Sequence, residues 1–543
     1  MGLEWEVQVR FPSDTPVAGI ELNPWVRVNY KGSYVSPPNY ALQFAWYREF
    51  STLPKCVEDY VAFQDHASRD SSMTIYGGGL NQEKHGLLNS EGLKIVDGEG
   101  KTWIQVGSSR TYTPSEDDIN SSLRLVSVAI DDMGIKMSIN VFVTTPVIRL
   151  PRPYPRHMIV FCSLRKLRNP KCIATPFKEE SFRVLSYNIL ADLYTVSGAY
   201  THCPNWALTW EYRRRNLLNE ILSYDADILC LQEVQSDHFK NFFESEFAKV
   251  GYSAIYKRKT KEVYSANEYV IDGCATFFRH DRFKIVIKYE VEYDKMALPV
   301  IEVLEPDKRN DGLFRLMKDN VALVVILEEK DNGRSQDAAR STICVANTHI
   351  HRGSDASDVR LFQVVNLIRG LEKIDSSGIP ILICGDMNSL PGSDPHRFLI
   401  NGEVGCFSEK FRDPLGIHKH LKLSHSMHLA CAYAHLLDSN EVGQHQKGKM
   451  DYQAMEPLFT CFKPSLTGTL DYILYSKNRL KVDGLLKLLD YDSLEKRLLP
   501  SPLWSSDHVA LMANFRVKRA SRGVQYLSPP PDPWEQQNKQ TDV

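Results

Sequence analysis

Between residues 183 and 517 the chain repeats one arrangement, a strand-length apolar run that closes on polar residues. The runs fall at 183–190, 226–234, 273–279, 321–327, 342–350, 379–385, 470–475 and 508–517. Unbroken apolar runs of this length suit strands covered on both faces. Between them Trp210, Leu217 and Ile221, and then Val359, Phe362, Val365, Leu367 and Leu371, recur at the three-to-four-residue spacing of a helix. Helices alternating with buried strands predict a layered α/β domain.

Upstream the pattern changes. Residues 5–11 and 42–46 alternate apolar with polar, and 102–106, 124–130 and 136–148 are rich in β-branched residues, which predicts a small β-rich domain over 1–150, a sandwich in outline. The stretch 53–92 lacks periodicity and reads as a loop. Pro151-Arg-Pro-Tyr-Pro-Arg156 suits neither a ladder nor a helix, so 151–180 is assigned as a linker and 181–518 as the second domain. The Pro- and Gln-rich end, 519–543, is expected to be disordered.

Charge excludes a global electrostatic grip on nucleic acid, because 65 Lys and Arg meet 67 Asp and Glu. Any affinity for RNA must be local or carried by metal ions. Eleven Cys occur without a Cys-x-x-Cys pair, and Cys230, Cys274, Cys344 and Cys384 sit inside apolar runs, as buried free thiols do. With no apolar leader and no uncharged stretch of 18 residues, the expectation is a soluble intracellular protein without membrane contact.

Five polar clusters close or open the runs: Ser186-Tyr-Asn188, Gln232-Glu233, Asn347-Thr-His349, Gly385-Asp-Met-Asn388 and Ser506-Asp-His508. Ligands bind at strand ends in α/β sheets, so clusters remote in sequence can meet there. Glu233, Asp386 and Asp507 with two amides and two imidazoles make an oxygen-rich set suited to Mg²⁺ or Mn²⁺ rather than zinc. Phosphoryl transfer is the chemistry such a set serves best.

The strings 182–192, 230–235, 272–279, 384–393, 470–475 and 504–508 resemble the endonuclease/exonuclease/phosphatase superfamily, and within it the carbon catabolite repressor protein 4 deadenylases. Residues 203–214 and 256–260 are similar to the plant homologues in particular. The resemblance implies a four-layered α/β sandwich, preceded here by the β-rich domain. It implies a 3′-to-5′ exoribonuclease that shortens mRNA poly(A) tails and releases 5′-AMP, in cytoplasm and nucleus. The implied partners are the poly(A) tail and a NOT-type complex, although the leucine-rich repeats that dock other members are absent.

Carried over by position, the resemblance implies that Glu233 ligates Mg²⁺ and that Asn188 helps hold the metal-bound phosphate, with Asp507 beside a second ion. Asp386 would orient the attacking water and Asn388 position it. His508 would contact the scissile phosphate, Asp471 hold its ring, and His349 stabilise phosphate charge. Ser354, Leu466 and Arg279 are the expected substrate contacts. Ser354 stands where relatives carry Pro, and Leu466 where they carry a base-stacking Phe. Lost stacking weakens adenine preference by about 1–3 kcal/mol, which keeps a second reading open: the same site acting on another RNA end or nucleotide. A third is a catalytically silent RNA-binding scaffold.

The lesser features have plain readings. His418, His420, His425 and His428 read as surface histidines. Arg213-Arg-Arg215 and Lys257-Arg-Lys259 are either phosphate contacts or a solvated face. Met387 reads as packing.

Overall fold

The structure is a computed structural model and describes residues 5–30, 39–50, 94–161, 181–195, 198–265, 268–330, 341–518 and 529–534. The segment read as a loop, 53–92, lies wholly outside these. Two compact units are present: Met1–Arg152 with Asn205–Arg215, and Pro153–Pro204 with Asn216–Val543.

In the first unit, Ser122–Asp131 alternates strictly, and Leu123, Leu125 and Ala129 are wholly buried. That period of two gives the strand one core face. It pairs antiparallel with Tyr40–Phe50 and Lys136–Pro146 inside a five-stranded sheet. The hairpin Trp5–Arg10/Trp25–Tyr30 lays Trp5, Val7 and Val28 against Ala129, giving the β-rich packing expected. Most of the plant-like stretch 203–214 lies in Asn205–Arg215, which groups with this unit, not with the second domain as its position predicts. Arg213 is wholly buried there, so it is neither a phosphate contact nor a solvated residue, and Arg214 reaches Glu21 at 3.7 Å.

The second unit stacks two mixed sheets. One runs Tyr252–Arg258, Asp272–Arg279, Ile228–Gln235, Ser181–Asn188, Leu511–Val517, Leu480–Leu486, Met158–Val160. The other runs Phe283–Glu292, Val321–Glu329, Thr342–His349, Ile381–Asp386, Asp471–Ser476, Leu429–Cys431. Val184, Ile228 and Cys230 of the first share a core with Val345, Leu382 and Ile383 of the second. Helix Ser357–Ser376 adds Leu361, Val364 and Leu371 to that core, and Met387 is buried in it as a packing residue. The α/β sandwich is therefore built by runs apolar on both faces.

Register does the gathering. Ser181–Asn188 lies parallel to Ile228–Gln235, which sets Asn188 opposite Gln232. Thr342–His349 lies parallel to Ile381–Asp386, setting His349 opposite Asp386, and the antiparallel neighbour sets Asp471 opposite Asp386. Gly385 has φ +152°, and a Cβ there would lie 1.9 Å from the Thr348 carbonyl oxygen, so only glycine lets these strands approach.

Two boundary expectations need correction. Within the assigned linker, Met158–Val160 is an edge strand on Leu480–Leu486, because the residues after the prolines can join a ladder. Arg156 is also fixed there, its guanidinium donating to the Lys487 and Ala510 carbonyls. Within the assigned disordered tail, Pro529–Trp534 docks on the second unit. Trp534 lies tilted against Tyr289 at 5.7 Å and donates its indole N–H to the Asn366 carbonyl, because burial of so large a ring outweighs the ordering of a short segment.

Candidate active site

Glu233 does not sit in a regular strand. The ladder between Ile228–Gln235 and Asp272–Arg279 slips between Leu231 and Val234, and Glu233 lies in that bulge with φ +55°. A bulge re-aims a side chain and strains its backbone, a cost that functional sites commonly carry. The carboxylate is then clamped, Oε1 by Asn188 Nδ2 at 3.1 Å and Oε2 by the Ala191 backbone N–H at 3.0 Å. Asn188 is wholly buried and also donates to Asp386 Oδ2 at 3.1 Å. One amide thus joins Glu233 of one strand to Asp386 of the other sheet.

Asp386 is the hub. Its Oδ1 accepts from the Asn388 backbone N–H at 2.9 Å, which turns Oδ2 toward His349 Nε2 at 3.5 Å and His508 Nε2 at 3.8 Å. Burial pushes this carboxyl up to about 7, with Asp471 and Glu233 adding to the rise and His508 opposing it. Asn388 has φ +45° and anchors its side chain on the Ile350 carbonyl.

His508 is fixed by Asp471, Nδ1 to Oδ2 at 2.7 Å, and Thr460 donates to the same oxygen at 2.6 Å. Burial disfavours the imidazolium, yet the Asp471 and Asp507 carboxylates outweigh it and hold His508 well above its ordinary value. His349 is the opposite case: burial, with Lys259 and His508 nearby, holds it neutral, and its Nδ1 has no partner. Asp507 Oδ2 accepts from Tyr200 at 2.8 Å and from Lys463 at 2.7 Å. Despite burial, His508 and Lys463 keep it ionised.

The chemistry of these donors fits a hard divalent cation. Burial and the nearby Asp272 and Asp507 carboxylates raise the Glu233 carboxyl, a repulsion that a bound cation would relieve. Asp471 Oδ1 is buried without a hydrogen bond. Among the described residues two trios offer ligand atoms within 4.8 Å of one another, Cys461–Asp507–His508 and Asp386–Asp471–His508. Glu233 is in neither. A hard cation prefers oxygen, and the His508 ring is already committed to Asp471, so Glu233 with Asn188 and Asp386 is the better oxygen set.

Several groups at the site carry no signal in the sequence beyond their residue type. Lys259 is buried and ion-paired with Asp272, donating to Oδ1 at 3.0 Å with Oδ2 at 2.8 Å, and Tyr194 donates to Asp272 Oδ1 at 2.8 Å. The basic run 257–259 is thus fully paired: Lys257 with Glu292, Arg258 with Glu262, Lys259 with Asp272. Tyr200, Thr460 and Lys463 are likewise revealed only by the fold.

The three expected substrate contacts divide. Leu466 is half-buried on the hairpin Cys461–Lys463/Leu466–Gly468, opposite Lys463, at the rim of the site. Ser354 is exposed in the turn after Thr342–His349. Arg279 is overturned as a contact. It ends the strand whose first residue, Asp272, faces the site, so seven residues at about 3.3 Å each separate it from the chemistry. There it pairs with Asp225 at 2.7 Å and lies over Tyr252. His418 bonds Asp413 and His425 the Phe398 carbonyl, both half-buried, while His420 and His428 are exposed.

This buried assembly of carboxylates, amides and paired imidazoles at the ends of two stacked sheets defines a class. The endonuclease/exonuclease/phosphatase family model matches residues 185–508, and the chain belongs to that family, in its carbon catabolite repressor protein 4 branch. It is 38% identical over 598 aligned positions to carbon catabolite repressor protein 4 homolog 1 of Arabidopsis thaliana, covering 95% of this chain and 98% of that protein. It is 33% identical over 366 positions to the CCR4-Not complex 3'-5'-exoribonuclease subunit Ccr4 of Saccharomyces cerevisiae, covering 65% of this chain and 40% of that one. The crystal structure of ANGEL2, a 2',3'-cyclic phosphatase, in complex with adenosine-2',3'-vanadate aligns with 67% of this chain and 98% of its own, at 27% identity and TM-score 0.49.

Proposed function

We propose that the chain is a Mg²⁺-dependent 3′-to-5′ exoribonuclease that shortens mRNA poly(A) tails and releases 5′-AMP. The observation that carries it is the convergence of Asn188, His349 and His508 on Asp386 Oδ2, with Glu233 bonded to the same Asn188 amide. Glu233, with Asn188 alongside, would hold Mg²⁺, which neutralises nonbridging phosphate charge when bound. Asp386, lifted to about 7, is basic enough to take the proton of an attacking water at neutral pH. Its Oδ1 is held by the Asn388 backbone N–H and its Oδ2 by the Asn188 amide, with Oδ2 turned toward the two imidazoles. His508, kept cationic by Asp471, donates to the scissile phosphate. His349, kept neutral, offers a further hydrogen bond there. Water oxygen bonds to phosphorus, the bond to the upstream 3′ oxygen breaks, that oxygen takes up a proton to become the new 3′ hydroxyl of the shortened RNA, and 5′-AMP is released.

The test is 5′-labelled A-tailed RNA incubated with Mg²⁺ and with chelator. A ladder receding from the 3′ end, abolished by chelator and by Glu233→Gln, is the expected result. A ladder that persists in Glu233→Gln removes the proposed metal role. Leu466 and Ser354 favour one competing reading, action on another RNA end or nucleotide. Equal rates on A and U tails, or faster turnover of a 2′,3′-cyclic phosphate end, would select it. The relatives named as CCR4-Not subunits support membership of a NOT-type complex, and with it work in cytoplasm and nucleus. Co-purification with such a scaffold is the check.

A further inference from the structure

One side chain beside His508 takes no part in the chemistry above. Cys461 opens the hairpin strand Cys461–Lys463 and bridges antiparallel to His508. The Phe462 N–H donates to the Asp507 carbonyl at 3.0 Å, and the Val509 N–H to the Thr460 carbonyl at 2.7 Å. Bonds that flank a pair without joining it mark the closer kind of antiparallel pair, with Cα atoms about 4.5 Å apart and both side chains on one face. The backbone therefore fixes the thiol against the imidazole. Cys461, Asp507 and His508 each offer a ligand atom within 4.8 Å of the other two, and all three residues are buried.

The neighbours of this trio leave the right atoms open. His508 Nδ1 is bonded to Asp471 Oδ2 at 2.7 Å, the carboxylate–imidazole pairing that metal-ligating histidines carry, and Nε2 remains to bind an ion. Tyr200 and Lys463 both donate to Asp507 Oδ2, which leaves Oδ1 turned to His508 Nε2 at 4.0 Å. The Lys463 ammonium thus sits on the far oxygen.

A thiolate, an imidazole and a carboxylate with one position to spare suit zinc, whereas Mg²⁺ takes oxygen ligands. With bonds of about 2.0–2.3 Å, ligand atoms around a tetrahedral zinc stand about 3.5 Å apart, so the trio closes by about 1 Å at most.

We propose that Cys461 Sγ, Asp507 Oδ1 and His508 Nε2 form an inhibitory Zn²⁺ site, with water as the fourth ligand. On binding, the thiol and the imidazolium each release a proton to solvent. His508 Nε2 is the atom assigned to the scissile phosphate, so zinc there silences the nuclease while Glu233 can still hold Mg²⁺. The inhibition rests on the nuclease reading above, and the binding does not.

The full chain, with its thiols kept reduced, is titrated with Co²⁺ as a spectroscopic stand-in for Zn²⁺. Tetrahedral Co²⁺ gives strong visible bands, and a Co²⁺–thiolate bond adds near-ultraviolet charge transfer. Both are expected in the wild type and are erased by stoichiometric Zn²⁺. Cys461→Ser loses the charge transfer, and Cys406→Ser, which removes an exposed thiol, keeps it. In Mg²⁺, Zn²⁺ stops the wild type from shortening A-tailed RNA. Cys461→Ser cuts at the wild-type rate and needs about 100-fold more Zn²⁺ for the same inhibition.

No charge transfer in the wild type overturns the site, as does a band that survives in Cys461→Ser. Equal zinc sensitivity of wild type and Cys461→Ser overturns the inhibitory role and assigns the effect to displaced Mg²⁺. A Cys461-dependent band in protein that cuts no RNA supports the site and removes the nuclease reading. Should Cys461→Ser misfold, Cys461→Ala repeats the comparison, and the wild-type spectrum can still overturn the site.

Discussion

The Asp386 carboxyl is buried where water barely reaches it, and that has a measurable consequence. Unfolded, its carboxyl titrates near 3.8; folded and without a bound cation, burial lifts it to about 7. Between those values the folded state keeps a proton that the unfolded state has released, so stability falls as pH rises through the interval. Thermal melts of the chelated protein from about pH 5 to 7.5 should show Tm dropping with pH, and Asp386→Asn should flatten that slope. His508 has the opposite dependence on its partner, since Asp471 holds it protonated. Asp471→Asn, which keeps the shape and removes the charge, should lower kcat on the order of 100-fold with KM little changed. Steady-state kinetics on A-tailed RNA checks it.

Two elements beside the chemistry bear structural weight of different kinds. The strand Asp272–Arg279 starts at a carboxylate that is wholly buried and matched by Lys259. Lys259→Met would strand that charge, so urea unfolding should show a loss of about 3–5 kcal/mol, far beyond a surface pair. At the other end of the chain, Trp534 fits over Gly370 of helix Ser357–Ser376, where a Cβ would lie 2.0 Å from the indole ring. Trp534→Ala should cost about 3 kcal/mol by the same measurement, and Gly370→Ala should release the segment without touching the indole itself. Hydrogen exchange at the helix reads that release directly.

For the whole molecule, the second unit brings carboxylates from both sheets into one buried place and leaves their mutual repulsion to a cation. Binding to the folded state alone stabilises by mass action, about 2.7 kcal/mol at a hundred times the Kd. Mg²⁺ should therefore raise the wild-type Tm in a saturable way, and Glu233→Gln should shift the curve to higher Mg²⁺. Calorimetric scans at stepped Mg²⁺ make the comparison.

The sequence alone determined the strands, their burial on both faces and the polar residues at their ends, because hydrophobic period and strand-end chemistry are local properties. Motif order likewise carried Asn188, Glu233, Asp386, Asn388, Asp471 and His508 to one site. What only the tertiary structure decided was direction and partnership. Arg279 sits in a motif string yet lies at the end remote from the site, because its strand runs antiparallel to Ile228–Gln235 and only its start, Asp272, is at the site end. Lys259, one of a charged run, is interior because Asp272 meets it, and Trp534 is ordered because Gly370, directly beneath it, leaves room for a ring. Such pairings join residues tens to hundreds of positions apart, where neither spacing nor composition holds a trace of them.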